Sequence, residues 1–159
     1  MKITVYLDIQ QLALCDDANH VIRRYAISTA KNGAGELKGS DCTPRGKHLV
    51  RAKIGAGCAE NSVFVGRRPT GEIYTPALAA KFPQRDWILT RILWLSGCEV
   101  GLNRLGKCDT MRRYIYIHGT PNSEPLGIPQ SHGCIRMHNA DLILLFDAIS
   151  CGIAVEIIA

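Results

Sequence analysis

A mainly β domain with one α-helix packed against it near the C-terminus is the fold class this sequence predicts. Three observations carry that expectation. Short segments with apolar–polar alternation recur, at residues 3–14 and 20–29. Runs rich in branched and aromatic residues follow, WILTRILWL at 87–95 and RYIYIH at 113–118. Helical spacing takes over near the end, at Leu142, Leu145, Phe146 and Ile149. With 159 residues, 47% of them hydrophobic, the chain 1–159 reads as one domain able to bury a core without disulfides.

The elements follow in order. Residues 3–14 alternate into a strand, and Asp16-Asp17-Ala18-Asn19 has a turn composition. Residues 20–29 alternate again, so the two segments are expected to form a hairpin with His20 and His48 facing solvent. A glycine-rich loop from Asn32 runs to Thr43-Pro44-Arg45-Gly46, and residues 47–54 form the next strand. Residues 56–86 give the weakest signal, with a short helix at Pro76 to Phe82. They suit either a wall over the site or a surface insertion. The strands at 87–95 and 113–118 are expected to pair. Asn139 suits the N-cap of the last helix, Asp141 its first turn and Gly152 its C′ position. Ala154 to Ile158 closes the fold as a strand.

Charge and cysteine content narrow the function classes. The net charge is +5, but Lys and Arg are scattered, which reads as a solvated basic surface and not a nucleic-acid interface. The first ten residues alternate where an export signal would be continuously apolar, and no apolar run reaches bilayer length. Seven cysteines, an odd number with no CxxC pair, suit free thiols in a reducing compartment. The expectation is therefore a cytoplasmic protein without a membrane partner. The other six cysteines read as small hydrophobes, and Trp87 and Trp94 as core.

The chemistry concentrates in SHGCIRM, residues 131–137. A catalytic cysteine needs a base or positive partner and converging backbone N–H groups for the developing oxyanion, each worth about 3 kcal/mol. Gly133 permits a tight turn that aims successive amides at one point, and the turn precedes a helix. His118, at the end of a strand and followed by Gly119, is the candidate partner of Cys134. The Pro- and Gly-rich loop between them can bring them together. Two other readings of Cys134 stand beside this one: an inert core thiol, and a zinc ligand with His118, His132 and His138. His132 reads as a second base or, more readily, as a structural residue whose amide matters. His138 reads as a surface residue at the helix start.

IHGTPNSEPLGIPQSHGCIRM closely resembles the signature of the YkuD-type L,D-transpeptidase catalytic domain, and Thr43-Pro44-Arg45-Gly46 resembles that family's TPxG turn. The match is strong over 113–137 and weak over 56–110. The resemblance implies a β-sandwich of mixed sheets. It implies Cys134 as nucleophile, His118 as general base and acid, and the Gly119 carbonyl as the group fixing the imidazole. It further implies an oxyanion hole from the amides of His132, Gly133 and Cys134. Ser131 would tie the loop down, and Arg136 would brace it or meet a substrate carboxylate. The implied substrates are peptidoglycan stem peptides or muropeptides, cut between diaminopimelate and D-alanine through a thioester, with no metal and no organic cofactor. Together with the cytoplasmic expectation, this suggests water as acceptor: an L,D-carboxypeptidase in muropeptide recycling. The alternatives are cross-linking or D-amino-acid exchange, and a non-catalytic muropeptide-binding or zinc-binding module.

Overall fold

The computed structural model describes all residues, 1–159. Ten strands form one sheet: β1 (Lys2–Tyr6), β2 (Gln11–Cys15), β3 (Val21–Ser28), β4 (Gly46–Ile54), β5 (Ser62–Val65), β6 (Arg68–Ile73), β7 (Ile88–Gly97), β8 (Tyr116–Thr120), β9 (Ile135–His138) and β10 (Ala154–Ile158). Helix α1 spans Pro76–Lys81 and α2 spans Asn139–Ala148. The strand order is β4-β10-β1-β2-β3-β9-β8-β7-β5-β6, and β4 also pairs with β7. That last pairing closes eight strands into a barrel-like sandwich, with the β5–β6 hairpin appended. The pairs β1–β10 and β8–β9 are parallel and the rest antiparallel, so the mainly β, mixed-sheet expectation holds.

Strand alternation sorts side chains to two faces. Ile3, Val5, Leu12, Leu14, Ile27, Val50, Leu93, Leu95, Ile117, Ile135 and Met137 fill the interior. Leu142, Leu145, Phe146 and Ile149 of the C-terminal segment join the same cluster, as their spacing predicted. A smaller cluster of Phe64, Ile92 and Tyr116, with Trp94 and Cys134 against it, lies outside the main core.

Several boundaries differ from the sequence reading. Residues 3–14 are two strands, not one. Inward residues are odd-numbered in β1 and even-numbered in β2, and the turn between them, with Gln10 at φ 51°, absorbs the change of parity. The strand expected at 113–118 starts at Tyr116, because Tyr114 sits at φ 57° in a turn closed by Asp109 and Met111 carbonyls. His118 is thus mid-strand, not terminal. Strand β9, only four residues long, was not expected at all. The N-cap of α2 is His138, and Asn139 is its first helical residue. Gly152 is not the C′ residue of α2; it lies in the turn before β10 at φ 90°. Residues 56–86 form the β5–β6 hairpin and α1, whose N-cap Thr75 accepts a hydrogen bond from the Leu78 amide at 3.1 Å.

His48 faces inward, against expectation, at 1% exposure. Its ring bonds the Gly46 carbonyl at 3.0 Å and Thr110 Oγ1 at 2.9 Å, which makes burial tolerable. His20 is exposed as expected.

Candidate active site

Parallel pairing of β8 with β9 builds the site. The register sets Ile117 against Ile135 and His118 against Arg136. Ile117, Ile135 and Met137 point into the core. Tyr116, His118, Cys134 and Arg136 therefore share the opposite face. Cys134 and His118 are diagonal neighbours there, on adjacent strands two positions out of register. Such neighbours lie about 7–8 Å apart at Cα, within reach of an imidazole and a thiol.

The thiol is half-buried. Sγ accepts the Tyr116 N–H at 3.3 Å and donates to the Tyr114 carbonyl at 3.4 Å. Burial pushes its pKa up to about 12. The Tyr116 amide and the charges of Arg136 and Arg113 oppose that, while Asp86 adds to it. His118 is buried, and its Nδ1 lies 2.7 Å from the Gly119 carbonyl. A carbonyl can only accept, so Nδ1 carries the proton and Nε2 keeps the lone pair. Burial lowers the His118 pKa, Asp86 and the Gly119 carbonyl oppose the shift, and Arg136 reinforces it. Both shifts favour the uncharged forms, thiol and neutral imidazole.

Gly119 has a steric reason to be glycine. An added Cβ would overlap Asn139 Oδ1 and approach the Leu89 carbonyl to 2.6 Å. Asn139 itself joins four segments. Oδ1 accepts from Thr90 Oγ1 at 2.6 Å, and Nδ2 donates to the Thr120 carbonyl at 2.9 Å, to Asn61 Oδ1 at 3.1 Å and to Asn122 Oδ1 at 3.3 Å.

The SHGC loop is braced from both sides. Ser131 Oγ donates to the Cys134 carbonyl at 2.5 Å and accepts the Gly133 amide at 3.2 Å. Thr43, in the TPRG turn, donates to the Gly133 carbonyl at 2.9 Å and accepts the Ala30 amide at 3.0 Å. Gly133 sits at φ 128°, where a side chain would be strained. With the Gly133 amide engaged by Ser131, the amides free to meet an oxyanion are those of His132 and Cys134. The turn also opens directly into β9, so no helix terminus lies behind it.

Sequence reasoning missed three contributors. Arg113 donates to the carbonyls of Gly35 at 3.2 Å and Cys42 at 2.7 Å, holding the loop that underlies Gly133. Asp86 pairs with Arg136 at 3.4 Å. Arg67, at the tip of the β5–β6 hairpin, stacks over Trp94 and Tyr114 with centroids at 5.0 and 4.7 Å. Its Nη1 donates to the Tyr116 hydroxyl at 3.0 Å. The hairpin thereby becomes a wall beside Cys134, and Trp94 and Trp87 are half-buried surroundings of the site instead of core. None of these carried a local signal except the aromatic run at 87–95.

His118, His132, His138 and Cys134 do not converge as metal ligands; no group of three or more such side chains does. All seven cysteines are unpaired, and only Cys15 is buried, so the small-hydrophobe reading fails for exposed Cys98 and Cys151.

A thiol and an imidazole with an anchored Nδ1 share one face of adjacent strands next to a braced loop, and Sγ bonds the Tyr114 carbonyl and the Tyr116 amide; these are the parts of a cysteine acyltransferase centre. Comparison with known proteins gives the family. The model of the YkuD L,D-transpeptidase catalytic domain matches residues 1–157, and the chain belongs to that family. It is 31% identical over 139 residues to "Putative L,D-transpeptidase YqjB" of Bacillus subtilis (strain 168), covering 87% of this chain and 61% of that one. Solved structures share the fold. An L,D-transpeptidase from Xylanimonas cellulosilytica aligns with TM-score 0.56 at 22% identity, over 98% of this chain and 59% of that one. L,D-transpeptidase 3 from Mycobacterium tuberculosis, in complex with a faropenem-derived adduct, aligns with TM-score 0.56 at 14% identity, over 99% and 59%. The chain thus spans about three-fifths of these relatives' length.

Proposed function

We propose that this protein cleaves peptidoglycan tetrapeptide stems between diaminopimelate and D-alanine through a thioester on Cys134, with water as the favoured acceptor. The observation that carries the reading is the imidazole of His118, anchored through Nδ1 to the Gly119 carbonyl on the face that also bears the thiol. His118 Nε2 takes the thiol proton as sulfur attacks the carbonyl carbon. The oxyanion forms toward the Cys134 and His132 amides. Its collapse breaks the C–N bond, and the proton on Nε2 passes to the departing D-alanine nitrogen. Water then gives its proton to Nε2 and attacks the thioester, releasing a tripeptide and the free thiol. Seven unpaired cysteines favour a reducing compartment, where muropeptides awaiting trimming are the available stems.

Incubation with a tetrapeptide muropeptide tests this, followed by mass spectrometry of protein and products. A mass increment on Cys134, free D-alanine and tripeptide are expected. A product carrying a new amine in place of D-alanine would reassign the acceptor, and unreacted substrate would end the reading. The faropenem-derived adduct of the mycobacterial relative suggests a second probe. A penem should add its mass to the protein and fail to do so after Cys134→Ala.

A further inference from the structure

Backbone strain singles out Thr90. Of the eight non-glycine residues at positive φ it alone is β-branched, and it sits at φ 76° inside β7, fully buried. A side chain of that shape strongly disfavours this region, and such outliers persist only where their surroundings hold them, most often at active sites. Thr90 stands next to the base. The β7–β8 register sets Leu89 opposite Gly119 and Ile92 opposite His118, so Thr90 and Arg91 bulge out across from the His118–Gly119 peptide. Three hydrogen bonds hold the bulge. Thr90 Oγ1 donates to Asn139 Oδ1 at 2.6 Å and accepts the Asn61 amide at 3.0 Å, and the Thr90 carbonyl accepts Arg91 Nη1 at 2.7 Å.

Asn139 carries that hold to the group that anchors His118. Its Oδ1 crowds the space where a Cβ on Gly119 would stand, so the amide rests against the Gly119 Cα. Its Nδ2 donates to the Thr120 carbonyl at 2.9 Å. Between those two contacts lies the peptide unit whose carbonyl, that of Gly119, meets His118 Nδ1 at 2.7 Å. Resting on the reading of His118 as the base, we infer that Thr90 and Asn139 are positioning residues. Their bond fixes the plane of the Gly119–Thr120 peptide, so that the Gly119 carbonyl holds the proton on Nδ1 and leaves the Nε2 lone pair for the thiol. Neither residue touches the substrate. Without the lock the carbonyl can turn, and the tautomer protonated on Nε2, which cannot take the thiol proton, gains population.

Three substitutions at one position test this. Thr90→Val removes the hydroxyl at nearly constant shape, Thr90→Ser keeps it, and Thr90→Gly removes it while relieving the strained φ. In D-alanine release from a tetrapeptide muropeptide, kcat should fall about 10- to 100-fold in the Val and Gly variants, part of what a lost base costs. KM should stay within about twofold, and Thr90→Ser should match the unmodified protein. Long-range ¹H–¹⁵N spectra of ¹⁵N-histidine-labelled protein read the tautomer directly. His118, assigned by its loss in His118→Ala, should be protonated on Nδ1 in the unmodified protein and in Thr90→Ser, and mixed in Thr90→Val, Thr90→Gly and Asn139→Ala. His48, bonded to the Gly46 carbonyl elsewhere in the fold, should not change. Thermal melting confirms folding, and Thr90→Gly should melt no lower than Thr90→Val, which separates positioning from stability. Full turnover in Thr90→Val and Thr90→Gly overturns the proposal, as does lost turnover with the His118 spectrum unmoved. Absence of D-alanine release by the unmodified protein overturns the reading of His118 as base, and the tautomer comparison still decides the positioning.

Discussion

Burial favours the uncharged forms of both Cys134 and His118, and this sets how the thiol should react. With its pKa pushed up to about 12 by burial, Cys134 is almost wholly protonated at neutral pH. Alkylation by iodoacetamide in the absence of substrate should be slow at pH 7. It should rise about tenfold per pH unit without levelling off below pH 10, since only thiolate reacts. A plateau near pH 7 would mean a preformed thiolate–imidazolium pair. Because proton transfer must accompany attack, His118→Ala should lower turnover by a factor of about 10² to 10⁴, measured as D-alanine release. At this scale the sequence was most readable. Cys134, His118, Gly119, Ser131 and Gly133 lie in two short motifs whose spacing reflects a local turn. Asp86 and Arg113 were unreadable because their roles come from where distant segments cross, and a lone charged residue looks like any other solvated one. At Gly133 freedom of φ shapes the turn, as its residue type suggested, and the amide bonds Ser131 Oγ.

Among the elements, β7 does the most to shape the site. It pairs with β5 through Leu89 and Ile88, and with β4 through residues 92–97. The change of partner falls at Thr90, whose φ is 76°. Asn139 fills that irregularity, accepting from Thr90 and reaching the Thr120 carbonyl at the end of β8. Asn139→Ala would leave several buried polar groups without partners, at roughly 1–3 kcal/mol for each group left unsatisfied. A loss of about 2–4 kcal/mol in urea unfolding is expected. A loss below 1 kcal/mol would show that water replaces the amide without cost. The sequence identified Asn139 by type and assigned it to the cap, because Asn before an apolar run has that signature. Burial changed its job. Strand β9 escaped notice because four residues give alternation too few chances to show.

At the scale of the molecule, acid should loosen the fold before it attacks any single site. His48 is buried, and burial lowers its pKa to about 4 from an ordinary 6.5; burial also lowers that of His118. Both histidines bind protons more readily unfolded. Stability is thus full above the unfolded value near 6.5 and falls as pH drops toward the folded values. For His48 the drop from 6.5 to about 4 corresponds to about 3 kcal/mol lost by pH 4. Melting temperatures at pH 7, 5.5 and 4.5 should fall in step, and His48→Gln should flatten the trend. An unchanged slope in that variant would remove His48 from the account. The fold class was legible because strand periods and the single helical stretch are local patterns. Closure was not, since nothing in residues 46–54 or 88–97 announces that these two strands meet.

That closure has a consequence for how the chain meets its own kind. Only β6 has a neighbouring strand on one side alone, so its outer rim of backbone donors and acceptors stays open along its length. Its sequence RPTGEI interrupts that rim with Pro69, which has no N–H to offer, and flanks it with Arg68 and Glu72. Replacing Pro69 with valine would restore a templating strand, and self-association at high concentration is where the change should surface.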